Sequence, residues 1–395
     1  MDCVSLFSGA GGLDLGFKAA GFTTIAAVEI DRDSCRTLKA NGFERVFCND
    51  VRDWIQQNRD LRPDIVIGGP PCQPFSKSAY WSSTSAKGLA DKRADCLDLF
   101  FDAVRRLRPK AFLIENVPGF LTAGGVDFVM AALRELEREG VTYQFSWKIL
   151  NCADFGVPQK RQRFFGVGAI DFKFVFPEET HGAERGKPYV SAWDALRKLR
   201  KPRNEDVSLK GKWADLIPSI PEGENYLWHT SRGGGQELFG WRTRYWSFLQ
   251  KLSKAEPAPT IVATPAQDAG PFHWNNRKLS TRELGALQTF PSKYSFSGNQ
   301  ASRRRQIGNA VPPLMSEILA RQIGVQLGNG SSVELTHSVA FAGRIPSPTS
   351  VHSAPLRYEA LVRSHMPHPG TGKGPSPRPT KLPRARLEPP TLATP

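Results

Sequence analysis

The 395-residue sequence predicts an α/β fold: a mostly parallel sheet with helices on both faces, carrying a smaller irregular domain. Two observations lead there. Over the first half, short β-branched apolar runs alternate with amphipathic stretches, the rhythm of βαβ units. Near residue 171 that rhythm stops, and it returns only after residue 278. The apolar content of 40% is ample for a folded core, and no window approaches the roughly 18 uninterrupted apolar residues of a membrane span.

In order, strands are expected near 3–7, 24–29, 45–48, 64–68 and 111–115, with helices near 12–20, 33–41, 95–107 and 124–139 between most of them. Two further strands near 143–150 and 163–168 close the sheet. Residues 1–171 thus form the first domain, and the Trp-, Gly-, Lys- and Arg-rich stretch 172–278 the second. Helices within 279–290 and 312–327 return to the first domain. From 328 to 395 the chain is rich in Pro, Ser, Thr and Arg and poor in large apolar residues, so it is expected to be disordered.

The net charge is +15, and the segment 328–395, with eight Lys/Arg against three Asp/Glu, supplies five of those charges. The folded part is itself basic, which suits a polyanionic partner. The six cysteines lack the spacing of a zinc site, and the N-terminus has no signal-peptide pattern, so a reducing, cytoplasmic setting without disulfides or metal is expected.

Ligands of an open parallel sheet bind where the strand-to-helix loops gather. After the first strand, FSGAGG places Gly9, Gly11 and Gly12 where backbone can approach a ligand, and Glu29 follows 20 residues after Gly9, about where a carboxylate takes ribose hydroxyls. Alone, the loop is equally a plain tight turn. Asp50 suits an adenine amino group or a helix cap. The fourth strand runs into GGPPCQPFS, whose prolines stiffen the backbone around Cys72. The fifth, AFLIEN, ends in Glu115, a candidate acid or a solvated strand end. In QKRQRFF, alternation sets Gln159, Arg161 and Arg163 on one face, for a base carbonyl, for phosphates, or as a basic edge. QIGNAVPP suggests a tight turn at Gly308 and Asn309 before a last helix.

With FSGAGG, GGPPCQPFS, ENVPGF, QKRQRFF and QIGNAVPP in that order, residues 3 to 325 resemble the DNA cytosine-5 methyltransferase family, and the compact build resembles bacterial restriction-modification enzymes. The resemblance implies a Rossmann-like S-adenosylmethionine-dependent methyltransferase fold whose second domain recognises the target. It implies Cys72 as nucleophile toward cytosine C6, Glu115 as the acid at N3, and Arg163 with Arg161 steadying the base oxygen and the catalytic loop. For S-adenosylmethionine it implies Phe7, Gly9, Gly11, Gly12, Glu29, Ile30, Asp50, Leu99, Asn309 and Ala310, with Pro71 at the pocket and the target base. DNA contacts would come from Ser76 and Ser78 in a closing loop over 77–94, from Arg242, Arg244 and the glycines 233–235, and from Thr260. Trp241, Tyr245 and Trp246 read as a small hydrophobic core. The partner would be double-stranded DNA, met by a monomer with no membrane role, and a cognate endonuclease would act on the same sequence without a stable complex.

The chemistry asks for the same groups. Carbon 5 of cytosine is a poor nucleophile until a thiolate adds at C6 and N3 is protonated. C6 is covered by stacking in a duplex, so the base must flip out. Two alternatives are a tRNA cytosine-5 methyltransferase, disfavoured by the long 172–278 region, and an inactive DNA-binding homologue, disfavoured by intact Cys72, Glu115, Arg161 and Arg163.

Overall fold

The computed structural model describes residues 1–71, 95–200, 202, 204–239, 246–328 and 334–359. Cys72, Ser76, Ser78, the loop 77–94, Trp241, Arg242, Arg244 and Tyr245 lie outside the described residues.

Seven strands form one sheet: β1 (Asp2–Leu6), β2 (Thr23–Glu29), β3 (Val46–Cys48), β4 (Ile65–Gly68), β5 (Ala111–Asn116), β6 (Gln144–Asn151) and β8 (Gln162–Ala169). Their order is β3-β2-β1-β4-β5-β8-β6. The first five are parallel, whereas β8 runs antiparallel to both β5 and β6. The chain builds outward from β1 in one direction and then, through β4, in the other. That reversal opens a crevice at the carboxyl ends of β1 and β4.

Helices α1 (Gly12–Ala19), α2 (Arg32–Ala40), α3 (Val51–Gln57), α4 (Asp95–Leu107), the single turn α5 (Gly119–Thr122) and α6 (Gly125–Arg138) connect the strands. Alternate strand residues feed opposite faces, as the pleat requires. Val4, Leu6, Val66, Phe112 and Ile114 pack with α3, α4 and α6. Cys3, Ile65, Ile67 and Leu113 pack with α1 and the last helix. Helix α3 has no counterpart among the expected helix spans, but Asp50 takes the cap role considered for it: its carboxylate accepts from Arg52 N–H.

Between 172 and 278 the described regular structure is sparse: α7 (Ala192–Leu196), two 3-10 turns and β9 (Ala258–Pro259). β9 pairs with β7 (Gln159–Lys160), which ties this region to the sheet domain. A separate cluster around Leu216, Ile220, Tyr226, Leu238 and Phe272 forms its core. Trp246 is 61% exposed and so is not part of the expected hydrophobic core. The glycines at 233–235 have an internal reason: a Cβ at Gly233 would meet Trp228 O at 2.2 Å, and Gly234 and Gly235 lie against the Trp228 indole.

Helices α8 (Thr281–Leu287), α9 (Gln300–Asn309) and α10 (Pro313–Gln326) return to the sheet domain. α10 crosses α1 at Gly16, where a Cβ would lie 2.3 Å from Glu317 N, and Ser316 Oγ donates to Leu13 O at 2.7 Å. Gly308 and Asn309 lie in the last turn of α9 rather than in a tight turn. Glycine is needed there because a Cβ at Gly308 would reach Ala263 Cα at 2.5 Å. The expectation of disorder beyond 328 also needs correction, since residues 334–359 pack along the molecule and bury Tyr358 to 2% exposure.

Candidate active site

The crevice begins with the loop after β1. Phe7, Gly9 and Gly11 all have positive φ, 54°, 55° and 78°, so the backbone coils sharply before α1 begins at Gly12. Ser8 N–H donates to Val28 O, and Ser8 Oγ reaches Ser5 Oγ at 2.9 Å. A Cβ on Gly9 would meet nothing within 4 Å, so that residue faces open space. Gly11 and Gly12 are instead covered. A Cβ at Gly12 would lie 2.1 Å from Val311 O, and Tyr294 Oη donates to Ala10 O at 2.6 Å. The QIGNAVPP segment thus closes over the glycine loop, with Ala310 nearly buried and Asn309 exposed beside it.

Glu29, at the end of β2, accepts from Gly9 N–H at 2.7 Å and Asp31 N–H at 2.8 Å. Burial raises its pKa against the pull of those two N–H groups. Ile30 next to it is 68% exposed, a bare apolar side chain beside a carboxylate. Asp50 follows the neighbouring strand β3, while Phe7 and Leu99 pack at the margin of the core. An open glycine loop, a carboxylate and an exposed apolar wall suit a nucleoside with vicinal hydroxyls.

The second half of the site lies at the ends of β4 and β5. Glu115 is 8% exposed, and Arg163 Nε stands 3.0 Å from its Oε1. Burial raises the Glu115 pKa, while Arg163 and then Arg161 pull it down. A Cβ on Gly69 would lie 3.0 Å from Glu115 Oε2, so the start of GGPPC passes directly over the carboxyl. Pro71 is exposed just beyond it. At Gly69, three residues before position 72, the chain is thus in contact with the acid.

Arg161 does not join Arg163 at the cleft surface. It is fully buried, and its guanidinium donates to Ile261 O at 3.2 Å, Gly308 O at 2.7 Å and Ala310 O at 3.0 Å. Burial, followed by Arg163, lowers its pKa to about 9. Its Nη atoms are spent on these carbonyls and its Nε, though without a partner, is buried, so here it acts as a clamp joining three segments. Gln159 belongs to the same clamp, accepting from Ile261 N–H and donating to Gln288 Oε1. Gln288 in turn donates to Ile307 O at 2.6 Å. Gln288 escaped the sequence reading, although a glutamine between the apolar residues of ALQTF was a signal. Thr260 spends its hydroxyl on Lys160 O at 2.7 Å, within this junction.

Cys3, Cys35 and Cys152 are buried, and burial holds the Cys152 thiol up at about 12.

A doubly wound sheet with a glycine loop, a carboxylate at the end of β2 and a buried acid–arginine pair at the end of β5 suits a nucleoside-dependent group-transfer enzyme. The family model for C-5 cytosine-specific DNA methylase matches residues 1–325, and the chain belongs to that family. It is accordingly a DNA cytosine-5 methyltransferase. It is 34% identical to type II methyltransferase M.SacI of Streptomyces achromogenes over 82% of this chain and 93% of that one. It is also 34% identical to M.NgoFVII of Neisseria gonorrhoeae over 81% and 85%. Among solved structures, a protein of Escherichia coli described as a prophage-encoded DNA modification methyltransferase superposes with a TM-score of 0.61 at 25% identity, over 83% of this chain and 99% of that one.

Proposed function

We propose that this chain methylates carbon 5 of a flipped-out cytosine in a specific double-stranded DNA sequence, through a covalent adduct of Cys72 with C6. The carrying observation is Glu115, a buried carboxyl with a raised pKa that is paired with Arg163 and covered by the backbone leading to Cys72. Such an acid can hold a proton for cytosine N3. As the Cys72 thiolate adds at C6, Glu115 protonates N3, and the ring becomes an enamine nucleophilic at carbon 5. After methylation, loss of the C5 proton and expulsion of the Cys72 thiolate restore the aromatic ring.

S-adenosylmethionine supplies the electrophilic methyl group when bound. Gly9, with open space before it, and Glu29, with both oxygens anchored by backbone N–H groups, suit its ribose. Ile30 and Leu99 offer apolar walls, and Asp50, Asn309 and Ala310 lie around the same crevice. The relatives' names favour a role as the modification half of a type II restriction-modification system, with an endonuclease acting on the same DNA sequence.

Duplex DNA carrying 5-fluorocytosine at the target tests the covalent route, because fluorine cannot leave as a proton does. A stable protein–DNA adduct mapping to Cys72, absent in Cys72→Ser, is expected; turnover by Cys72→Ser contradicts the route.

A further inference from the structure

Residues 334–359 lie beyond the segment 1–325 that the family model matches, yet they are bound to three parts of the molecule. On the sheet domain, the carboxylate of Glu317 in α10 is wholly buried. It accepts from Thr336 N–H at 2.8 Å, His337 N–H at 3.0 Å and Arg321 at 2.7 Å, with His337 Nδ1 also 2.7 Å away. At α7, Ala342 N–H donates to Asp194 Oδ1 at 2.6 Å. On the recognition region, the Glu222 carboxylate, 5% exposed, accepts from Thr349 N–H, Thr349 Oγ1 and Lys254 Nζ, all within 2.7 Å. Beyond that, Tyr358 stacks on Trp213 with ring centroids 5.5 Å apart and donates to Lys212 O.

Buried carboxylates demand donors, and Glu317 and Glu222, one in each domain, each take at least half of theirs from this single segment. Without it, Glu317 would keep only Arg321, and Glu222 only the Nζ and backbone N–H of Lys254. Next to the sheet domain this region is already held at the β7–β9 junction, through Gln159, Lys160, Arg161 and Thr260, and at α8, where Arg277 pairs with Glu283 and Glu205 accepts from Thr281 N–H. The lobe with its own core around Leu216, Ile220 and Tyr226 gains a further tie to α10 through residues 334–359 at Glu222 and Trp213, which limits its movement.

We propose that residues 334–359 form a strap that sets the recognition region over the cleft and thereby determines discrimination between DNA sequences, while leaving cofactor binding untouched. The inference rests on the reading that the recognition region contacts DNA.

Two shortened chains, ending after Glu359 and after Val333, test it, alongside the full-length double variant Thr349→Val/Tyr358→Ala. Each is measured for S-adenosylmethionine Kd by calorimetry, and for kcat and KM on duplexes carrying the methylated motif or a single-base mismatch of it. The chain ending after Glu359 should match the intact one. The chain ending after Val333 should keep its cofactor Kd within about twofold, while its DNA KM rises at least about tenfold and its preference for the true motif falls by a similar factor. If that chain does not fold, the double variant decides, with a shift in the same direction expected. Unchanged DNA KM and discrimination in folded strap variants would overturn the proposal. An intact chain that binds cofactor but methylates no DNA would instead contradict the proposed reaction.

Discussion

Glu115 and Arg163 meet across neighbouring antiparallel strands, Nε to Oε1 at 3.0 Å, with only 10% and 14% of their side chains exposed. The pairing sets two demands against each other: burial favours a protonated Glu115, whereas Arg163 favours its anion. An acid in that balance can release a proton to a base and take it back.

Removing Arg163 should tip the balance. Arg163→Ala leaves a buried carboxyl without its nearest cation, so the Glu115 pKa rises further. We expect kcat to fall by about 10²–10⁴-fold, the range for loss of a working general acid, with cofactor affinity unchanged. Single-turnover methylation alongside calorimetric cofactor binding separates the two.

A side chain at Gly69 should disturb the acid. A Cβ there would sit 3.0 Å from Glu115 Oε2, tighter than ordinary van der Waals contact. Gly69→Ala asks the carboxyl to give by a few tenths of an ångström, and a fall of about tenfold in kcat/KM is expected, short of the roughly 10²-fold cost of a 1 Å misplacement. Measurement of kcat/KM on target duplex checks it.

Arg161 should behave as a structural clamp. Its replacement by Ala removes the guanidinium from the carbonyls of Ile261 and Gly308 and leaves Ala310 O with only Gln288 Nε2, and a destabilisation of about 3 kcal/mol or more is expected. Urea unfolding of Arg161→Ala should therefore show a shifted midpoint, whereas Arg163→Ala should be the more damaging variant for chemistry.

Asp14 gives a pH signature. It is fully buried in α1. Burial, only partly offset by the Ser5 hydroxyl, raises its pKa from 3.8 to about 7. Because the folded value lies above the unfolded one, the native state holds the proton more tightly, and stability falls as pH rises from about 4 to about 7. Asp14→Asn removes this slope, so its stability relative to the parent should improve by about 2–4 kcal/mol between pH 5 and pH 8. Unfolding curves at the two pH values that differ equally for both proteins would contradict it.

The sheet and its edge were legible in the sequence because buried parallel strands read as short apolar runs whose ends carry the polar residues, as with Glu29 and Glu115. The span of the short α3 was not legible, although Asp50 suggested a cap, because VRDWIQQ offers only Val51, Trp54 and Ile55 as apolar contacts. Alternation correctly grouped Gln159 with Arg161, but it could not say what covers them. Their partners, Ile261 and residues 288–310, lie roughly a hundred or more positions away in the chain. Gly308 read as a turn because its real constraint, the Ala263 backbone, belongs to another element earlier in the chain. The segment 334–359 looked unable to fold since its own apolar content is low; the carboxylates that anchor it, Glu222, Asp194 and Glu317, belong to other elements.

The most direct test is a base-resolution map of 5-methylcytosine in the genome of a host lacking cytosine methylation and expressing this chain. Dense methylation confined to one short motif, and lost with Cys72→Ser, is the predicted result. A genome left unmethylated by soluble protein would contradict the account.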